Sequence, residues 1–487
     1  MKRPCLLLFV LFFCTYLFAQ SNPVPLIYQP LNPASVPPGS PAFTLTVRGT
    51  GFVPGAVIKA NGIALKTKFV NSSTLKATTP ARAVAVPRTG SITVANPGTI
   101  DSNVLYFTVR KSSKTVAVQP DQAAIEGGQV VIGDFNNDRK PDLAVAWLND
   151  NYDPAVGNAD VYLNSGQGNY TKIDGPALGN GSDCGCLFLI PGDSAADVNN
   201  DGNLDTTVCI ADGEEGENRC GIYLGDGEGH FTPVNSTTNL DQGTWADLNG
   251  DGILDYVDGH PDTLGGGFHI DVYLGNGDGT FTQAFRYQPR LAASVIGVPV
   301  VGDFNGDGKL DVAVSALGFS IPGPGTMVVL LGNGDGTLQS EVDYPTTYGG
   351  LLSAVADVNG DGKLDIVENG VSVLLGNGDG TFRAGAYYNV LPGFEATIGN
   401  VQIADVNGDG NLDVIVPVAP NQTQQTIDVL LGDGHGKLQS PIMLNSGPGQ
   451  PFLGIADFNN DGLLDFTLSG NFDSSSSSTV LLQTPSK

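Results

Sequence analysis

The chain is poor in the residues that most enzyme chemistry uses. Its 487 residues include four histidines, two tryptophans and three methionines, and only 23 lysines plus arginines. Against 50 acidic residues, that scarcity of cations gives a net charge of −27. Such a balance argues against nucleic acid or an anionic membrane as partner. No Gly-x-Ser-x-Gly, His-Glu-x-x-His or phosphate-binding loop occurs. His230 and His435 lie at Gly-rich turns. His260 and His269 flank one loop, and the spacing supplies no third ligand for a zinc site. Trp147 and Trp245 sit in or beside strand-like runs, which places them in a core rather than in a sugar-stacking role.

Long apolar runs are also missing, apart from the first residues. Lys2 and Arg3 precede the mostly apolar run Cys5–Phe18, and Ala19 suits a cleavage position. Residues 1–19 therefore read as a signal peptide, and the mature protein is expected to be secreted or periplasmic, with no membrane span. Outside this segment the cysteines number four: Cys184, Cys186, Cys209 and Cys220. Export permits disulfides, but three pairings are possible and stay open. Cys209–Cys220 would bridge two consecutive strands. A Cys-x-Cys metal site lacks a nearby His or second Cys pair.

What is abundant is aspartate in one pattern. Asp303-Phe304-Asn305-Gly306-Asp307-Gly308-Lys309-Leu310-Asp311 has Asp at positions 1, 5 and 9 and Asn at position 3. These are hard oxygen ligands of the kind Ca²⁺ takes, and a glycine at position 6 allows the turn that aims the carbonyl of position 7 inward. The pattern occurs seven times. The expected ligand sets, in order of position, are Asp134, Asn136, Asp138, Lys140 and Asp142; Asp197, Asn199, Asp201, Asn203 and Asp205; Asp247, Asn249, Asp251, Ile253 and Asp255; Asp303, Asn305, Asp307, Lys309 and Asp311; Asp357, Asn359, Asp361, Lys363 and Asp365; Asp405, Asn407, Asp409, Asn411 and Asp413; and Asp457, Asn459, Asp461, Leu463 and Asp465. The lysine, isoleucine and leucine would contribute backbone carbonyls alone. Up to seven structural Ca²⁺ ions follow. They would offset much of the acidity, since these loops hold 21 of the 50 acidic residues.

An EF-hand would need a bidentate Glu at position 12 and flanking helices. Position 12 is apolar in five loops, and the flanks, such as Val312-Ala313-Val314, are β-type. Loop 1 departs from the pattern. Arg139 replaces the glycine and Pro141 sits at position 8, so its site should be the weakest.

Loop starts are 63, 50, 56, 54, 48 and 52 residues apart, a period of propeller or solenoid units. Each unit reads as four short strands, with a Gly-rich hairpin turn such as Gly332–Gly336 after the third. The seventh unit lacks a fourth strand after Ser478–Leu482, and Thr115–Val118 is expected to close it. Residues 22–110 hold no such loop. They show strand-like runs near 42–48, 56–60, 63–70, 73–78, 90–96 and 104–109, as in a small β-sandwich.

Two resemblances follow. Gly49–Val57 and Ser102–Val109 resemble the immunoglobulin-like IPT/TIG domain. The metal loops resemble the FG-GAP and VCBS-type repeats of the integrin α-chain propeller and of exported bacterial proteins. The resemblance implies an all-β fold: a seven-bladed β-propeller over 115–487, an IPT/TIG-like sandwich over 22–110 and a linker at 111–114. The Gly-Ala-Pro half of the family signature is absent, blade 4 having Ser315-Ala316-Leu317, which points to the bacterial subclass. The function implied is a non-enzymatic binding or adhesion module for an extracellular glycan or protein, expected to be a monomer. The alternative is a carbohydrate-active lyase or hydrolase. Calcium removal is expected to weaken the propeller and spare 22–110. A ligand is expected on the face opposite the metal loops, at Tyr152, His260, Phe268, Phe319 and Phe394.

Overall fold

The computed structural model describes residues 22–484 except 121–124, 127, 129, 150–154, 167, 182–186, 190–194, 212–217, 235–239, 262–267, 291–294, 318–324, 348–349, 391–396, 422–423, 448–451 and 470–476. The proposed signal peptide, Cys184 and Cys186 lie outside the described residues. Among those described, helix is limited to one 3₁₀ turn, Ala81–Val84, and no helix is long and apolar enough to cross a membrane.

The N-terminal part packs two sheets over one core. Leu26–Asn32, Phe43–Thr50, Thr74–Thr79 and Lys66–Asn71 form one sheet. Ser35–Val36, Leu105–Val109, Arg88–Ala95, Val57–Ala60 and Ile63–Ala64 form the other. Alternating residues such as Leu45, Val47, Leu75 and Ala77 point inward to Ile58, Val94 and Phe107. The first strand was not expected. Pro30 interrupts it, and its register on Phe43–Thr50 shifts between Tyr28 and Asn32.

Among the described residues, the remainder forms seven antiparallel sheets. In the fourth, Val300–Gly302 leads into the loop at Asp303, and Asp311–Leu317, Gly325–Leu330 and Val342–Thr346 follow in spatial order. Continuous apolar strands are buried on both faces because each sheet is covered by its neighbours. Seven separate apolar clusters fill the gaps between successive sheets. Phe304, Ala313 and Met327 of the fourth sheet, for example, pack on Ile366, Leu374 and Phe382 of the fifth. The last cluster joins Phe458 and Val480 of the seventh sheet to Leu143, Val145 and Tyr162 of the first, which closes a ring.

The seventh sheet takes its outer strand from upstream, three residues later than expected. Val118–Pro120 pairs with Leu481–Gln483, and Ile125–Glu126 pairs with Ser477–Ser478. Val116 instead enters the apolar cluster between the sixth and seventh sheets. Pro120 is tolerated because an edge strand has one side free of ladder bonds. Cys209 and Cys220 stand opposite each other on neighbouring strands of the second sheet and form a disulfide.

Candidate metal loops and the domain that covers them

Each loop is tied by its own carboxylates. In loop 4, Asp303 Oδ1 and Oδ2 accept the Gly306 and Gly308 N–H groups at 2.7 and 3.0 Å. Asn305 Oδ1 accepts from Asp307 N–H at 2.8 Å, and Asp307 Oδ1 from Lys309 N–H at 2.9 Å. Gly306 and Gly308 hold φ of 77° and 85°, the left-handed region that glycine enters freely.

The ninth-position Asp has a role that the sequence reading missed. Asp311 Oδ2 accepts the Phe304 N–H at 2.9 Å, and Oδ1 accepts the Gly332 N–H at 2.8 Å. One carboxylate thus pins the metal loop to the Gly-rich turn. The same two bonds recur at Asp142, Asp205, Asp255, Asp365, Asp413 and Asp465. The sequence signal was available: this Asp always stands where a strand leaves the loop. Burial pushes these carboxyls up, the backbone N–H bonds offset part of that, and the loop's other Asp charges add to it. Asp311 rises to about 7 and Asp413 to about 8. A cluster of carboxylates whose ninth-position member is buried and held by backbone N–H groups fits a divalent cation, which would supply positive charge.

Arg139 does hold the strained conformation that loop 1 demands, at φ 66°. A Cβ on Gly62 would lie 2.8 Å from its Nη1, so the guanidinium lies against the sandwich domain. Arg139→Gly should relieve about 1 kcal/mol of backbone strain. The expected result is a tighter weakest step in a calcium titration. Unchanged binding would show that the strain does not limit this loop.

The sandwich domain stands on the loops. Val24 N–H donates to Asn200 Oδ1 at 3.2 Å, and Asp247 N–H donates to Thr50 Oγ1 at 3.2 Å. Asn71 Nδ2 and Ser73 Oγ donate to Asp303 Oδ2 at 3.1 and 2.9 Å. Asn32 Nδ2 donates to Asp357 Oδ2 at 3.3 Å, while Ser35 and Thr89 hydroxyls donate to Asp405 and Asp457. Arg48 Nη2 reaches the Gly362 carbonyl at 2.9 Å, and Arg110 Nη1 the Gln483 side chain at 3.1 Å. All seven loops meet this domain, and residues 111–114 do not hold it at a distance: Ser113 N–H donates to the Asn407 carbonyl at 2.7 Å. Behind the contact lies a cavity of about 180 Å³. Tyr28, Gln29 and Arg48 of the sandwich line one side. Inner strands of the third to sixth sheets, with Thr244, Ser353 and Gln402, line the rest.

Other expected site residues fare differently. Phe268 is 1% exposed and packs with Ile270 and Val272, so it is core and not a ligand anchor. Its strand continues the hairpin further than the apolar pattern suggested. Tyr152, Phe319 and Phe394 lie outside the described residues. Trp245 packs on Tyr256 and Phe281 in the core. His230 and His435 are exposed at turns, His230 beside Asp226 at 3.0 Å. His260 and His269 are cross-strand neighbours, and Asp271 lies with them. That third group was invisible to spacing because the strand register brings it there. The imidazoles stack at 5.2 Å and 21°, and one nitrogen of each lies within 4.8 Å of the other and of an Asp271 oxygen. Arg286 engages both Asp271 oxygens at 2.7 and 2.6 Å. His260 binds Asp258 at 3.2 Å. Burial lowers its pKa, but the Asp258 bond and the charges of Asp258, Asp241 and Asp271 prevail and raise it.

Comparison with known proteins agrees with this architecture. The family model for the FG-GAP-like repeat matches residues 197–257, 258–314, 317–368 and 368–416, and that for the IPT/TIG domain matches 27–109. The chain thus holds four FG-GAP-like repeats and, at its N-terminal end, an IPT/TIG domain. No curated protein matches it. An auxiliary nutrient binding protein from Bacteroides ovatus is similar at 12% identity and a TM-score of 0.35, over 95% of this chain and 98% of that one. A DUF4784 family protein from Bacteroides caccae shares 11% identity at a TM-score of 0.23, over 72% and 93%. Likeness at this level carries no argument about activity.

Proposed function

We infer that the protein is an exported seven-bladed β-propeller with calcium in its loops, and that it binds an extracellular glycan or protein on the face away from the IPT/TIG domain. One observation carries the choice of face. The IPT/TIG domain engages all seven loops, from Arg139 to Asp457, so a partner meets the ring from the other side. The donor sets support calcium: three carboxylates per loop, with the ninth Asp buried in every loop and the first in five of the seven. The varied connections of the opposite face, rather than the near-identical metal loops, would distinguish one ligand from another.

The test is an array of glycans and extracellular-matrix proteins probed with the full chain, once in calcium and once in chelator. Calcium-dependent binding is the expected result. Polysaccharide breakdown in the same samples would replace this reading with the enzyme alternative. Binding lost on altering the IPT/TIG domain's exposed surface alone would place the site on the wrong domain.

A further inference from the structure

The IPT/TIG domain does not touch the seven loops alike. In loops 4 to 7 its side chains reach the first carboxylate, and always the same atom. Asn71 and Ser73 donate to Asp303 Oδ2, Asn32 to Asp357 Oδ2, Ser35 to Asp405 Oδ2 and Thr89 to Asp457 Oδ2. Each of these oxygens also accepts the N–H of the position-6 glycine, at 3.0, 2.8, 2.8 and 2.9 Å. A carboxylate oxygen offers two lone pairs. With Oδ2 filled by these donors, Oδ1 accepts one backbone N–H in Asp303, Asp357 and Asp457, which leaves it a lone pair for a cation; in Asp405 it accepts two, and the longer, from Asp409 at 3.1 Å, would yield to the ion. In loops 1 to 3 no described IPT/TIG side chain donates to the carboxylate of Asp134, Asp197 or Asp247. There, Thr50 meets the backbone of Asp247 and Val24 meets Asn200.

We propose that loops 4 to 7 are composite calcium sites shared between two domains, in which Asn32, Ser35, Asn71, Ser73 and Thr89 position the first carboxylate for the ion. The proposal rests on the calcium reading above and deepens it. These five residues are positioning groups that act through Asp303, Asp357, Asp405 and Asp457. Groups that orient a ligand from outside the coordination sphere typically set metal affinity by 10- to 100-fold. Coupling is reciprocal, so calcium at these four loops also holds the IPT/TIG domain on the ring. Small polar side chains suit this task. They fix one oxygen and bring no charge that would compete with the cation.

The experiment is calorimetric calcium titration of the full chain, parent against Ser35→Ala/Asn71→Ala/Ser73→Ala/Thr89→Val. Three sites, at loops 4, 6 and 7, should weaken by about tenfold while the rest keep the parent affinity. Tyr28→Phe serves as control, since it alters a docking contact to the Trp245 carbonyl. It should leave all affinities unchanged. The conservative pair Ser73→Thr and Thr89→Ser should retain parent binding at their loops. At calcium levels between the parent and variant affinities, small-angle scattering should show the variant extended and the parent compact. If the combined variant misfolds, Ser73→Ala alone should weaken a single site. A parent that binds no calcium would overturn the calcium reading itself. A parent that binds, with a variant that titrates identically or weakens at every loop equally, would overturn the shared sites alone.

Discussion

In excess chelator the protein should melt on the order of 20 °C below its melting temperature in calcium. Ligands that bind the folded state alone stabilise it by about 2.7 kcal/mol per site at 100 times Kd. Seven such sites would sum to roughly 19 kcal/mol. For a chain this long, each kcal/mol moves the melting temperature by about 2 °C or less, which turns the sum into a shift of tens of degrees at most. The physical source is plain in loop 4. Asp303, Asp307 and Asp311 converge around one turn, and burial raises the Asp311 carboxyl to about 7. The IPT/TIG domain, expected from sequence to be indifferent, shares Asp303, Asp357, Asp405 and Asp457 with the ring. Its docking should loosen in chelator even though its own core, built on Leu45, Ile58 and Val94, contains no metal loop. Calorimetry with and without chelator measures both effects. A ring transition that ignores the chelator would remove calcium from the account.

Truncation should separate soluble from aggregating protein within a dozen residues. A chain beginning at residue 115 should stay soluble, and one beginning at 127 should aggregate. Both lack the IPT/TIG domain, so the loss of that cap cancels. They differ in the strand Val118–Pro120, in Ile125–Glu126 and in Val116. Without them, the strand Ser477–Gln483 becomes an open edge with unpaired backbone groups, which invites pairing with another chain. Ile125, 1% exposed, and Val116, 5% exposed, also leave two apolar clusters. Each loss costs about 2 kcal/mol of burial. Light scattering of the two proteins at equal concentration is the readout. Equal solubility would mean that the seventh sheet holds without its upstream strands.

Much of this architecture is legible in the sequence because its signals repeat. One Asp-x-Asn-x-Asp-x-x-x-Asp loop is a coincidence, whereas seven at a steady spacing define units. Arg139 at positive φ was likewise visible, because a position that is glycine elsewhere in the series must be glycine for a reason. The closing strand was legible as an idea and misplaced by three residues, since an apolar run such as Thr115–Val118 does not say which of its residues enter a ladder and which enter a core. The docking of the IPT/TIG domain was not legible. Ser35 and Thr89 look like any polar residue in a short strand and Ser73 like any in a turn, and their partners are 230 to 370 residues away. The cluster of His260, His269 and Asp271 was hidden for a related reason. It depends on a hairpin register that sequence spacing leaves undefined.

The closed ring also sets an order of events during synthesis. Val118–Pro120 emerges early, and its partners Leu481–Gln483 lie 361 to 365 residues further along. The first-made strand of the ring must therefore wait, unpaired, for nearly the whole chain. Six sheets can assemble from neighbours in sequence, but the seventh cannot form until the two ends of the ring meet. Loop closure over such a distance is slow relative to local hairpins, and partly built chains expose edges meanwhile. A chain interrupted after Leu468 would carry all seven Asp-rich loops and still have no closed ring.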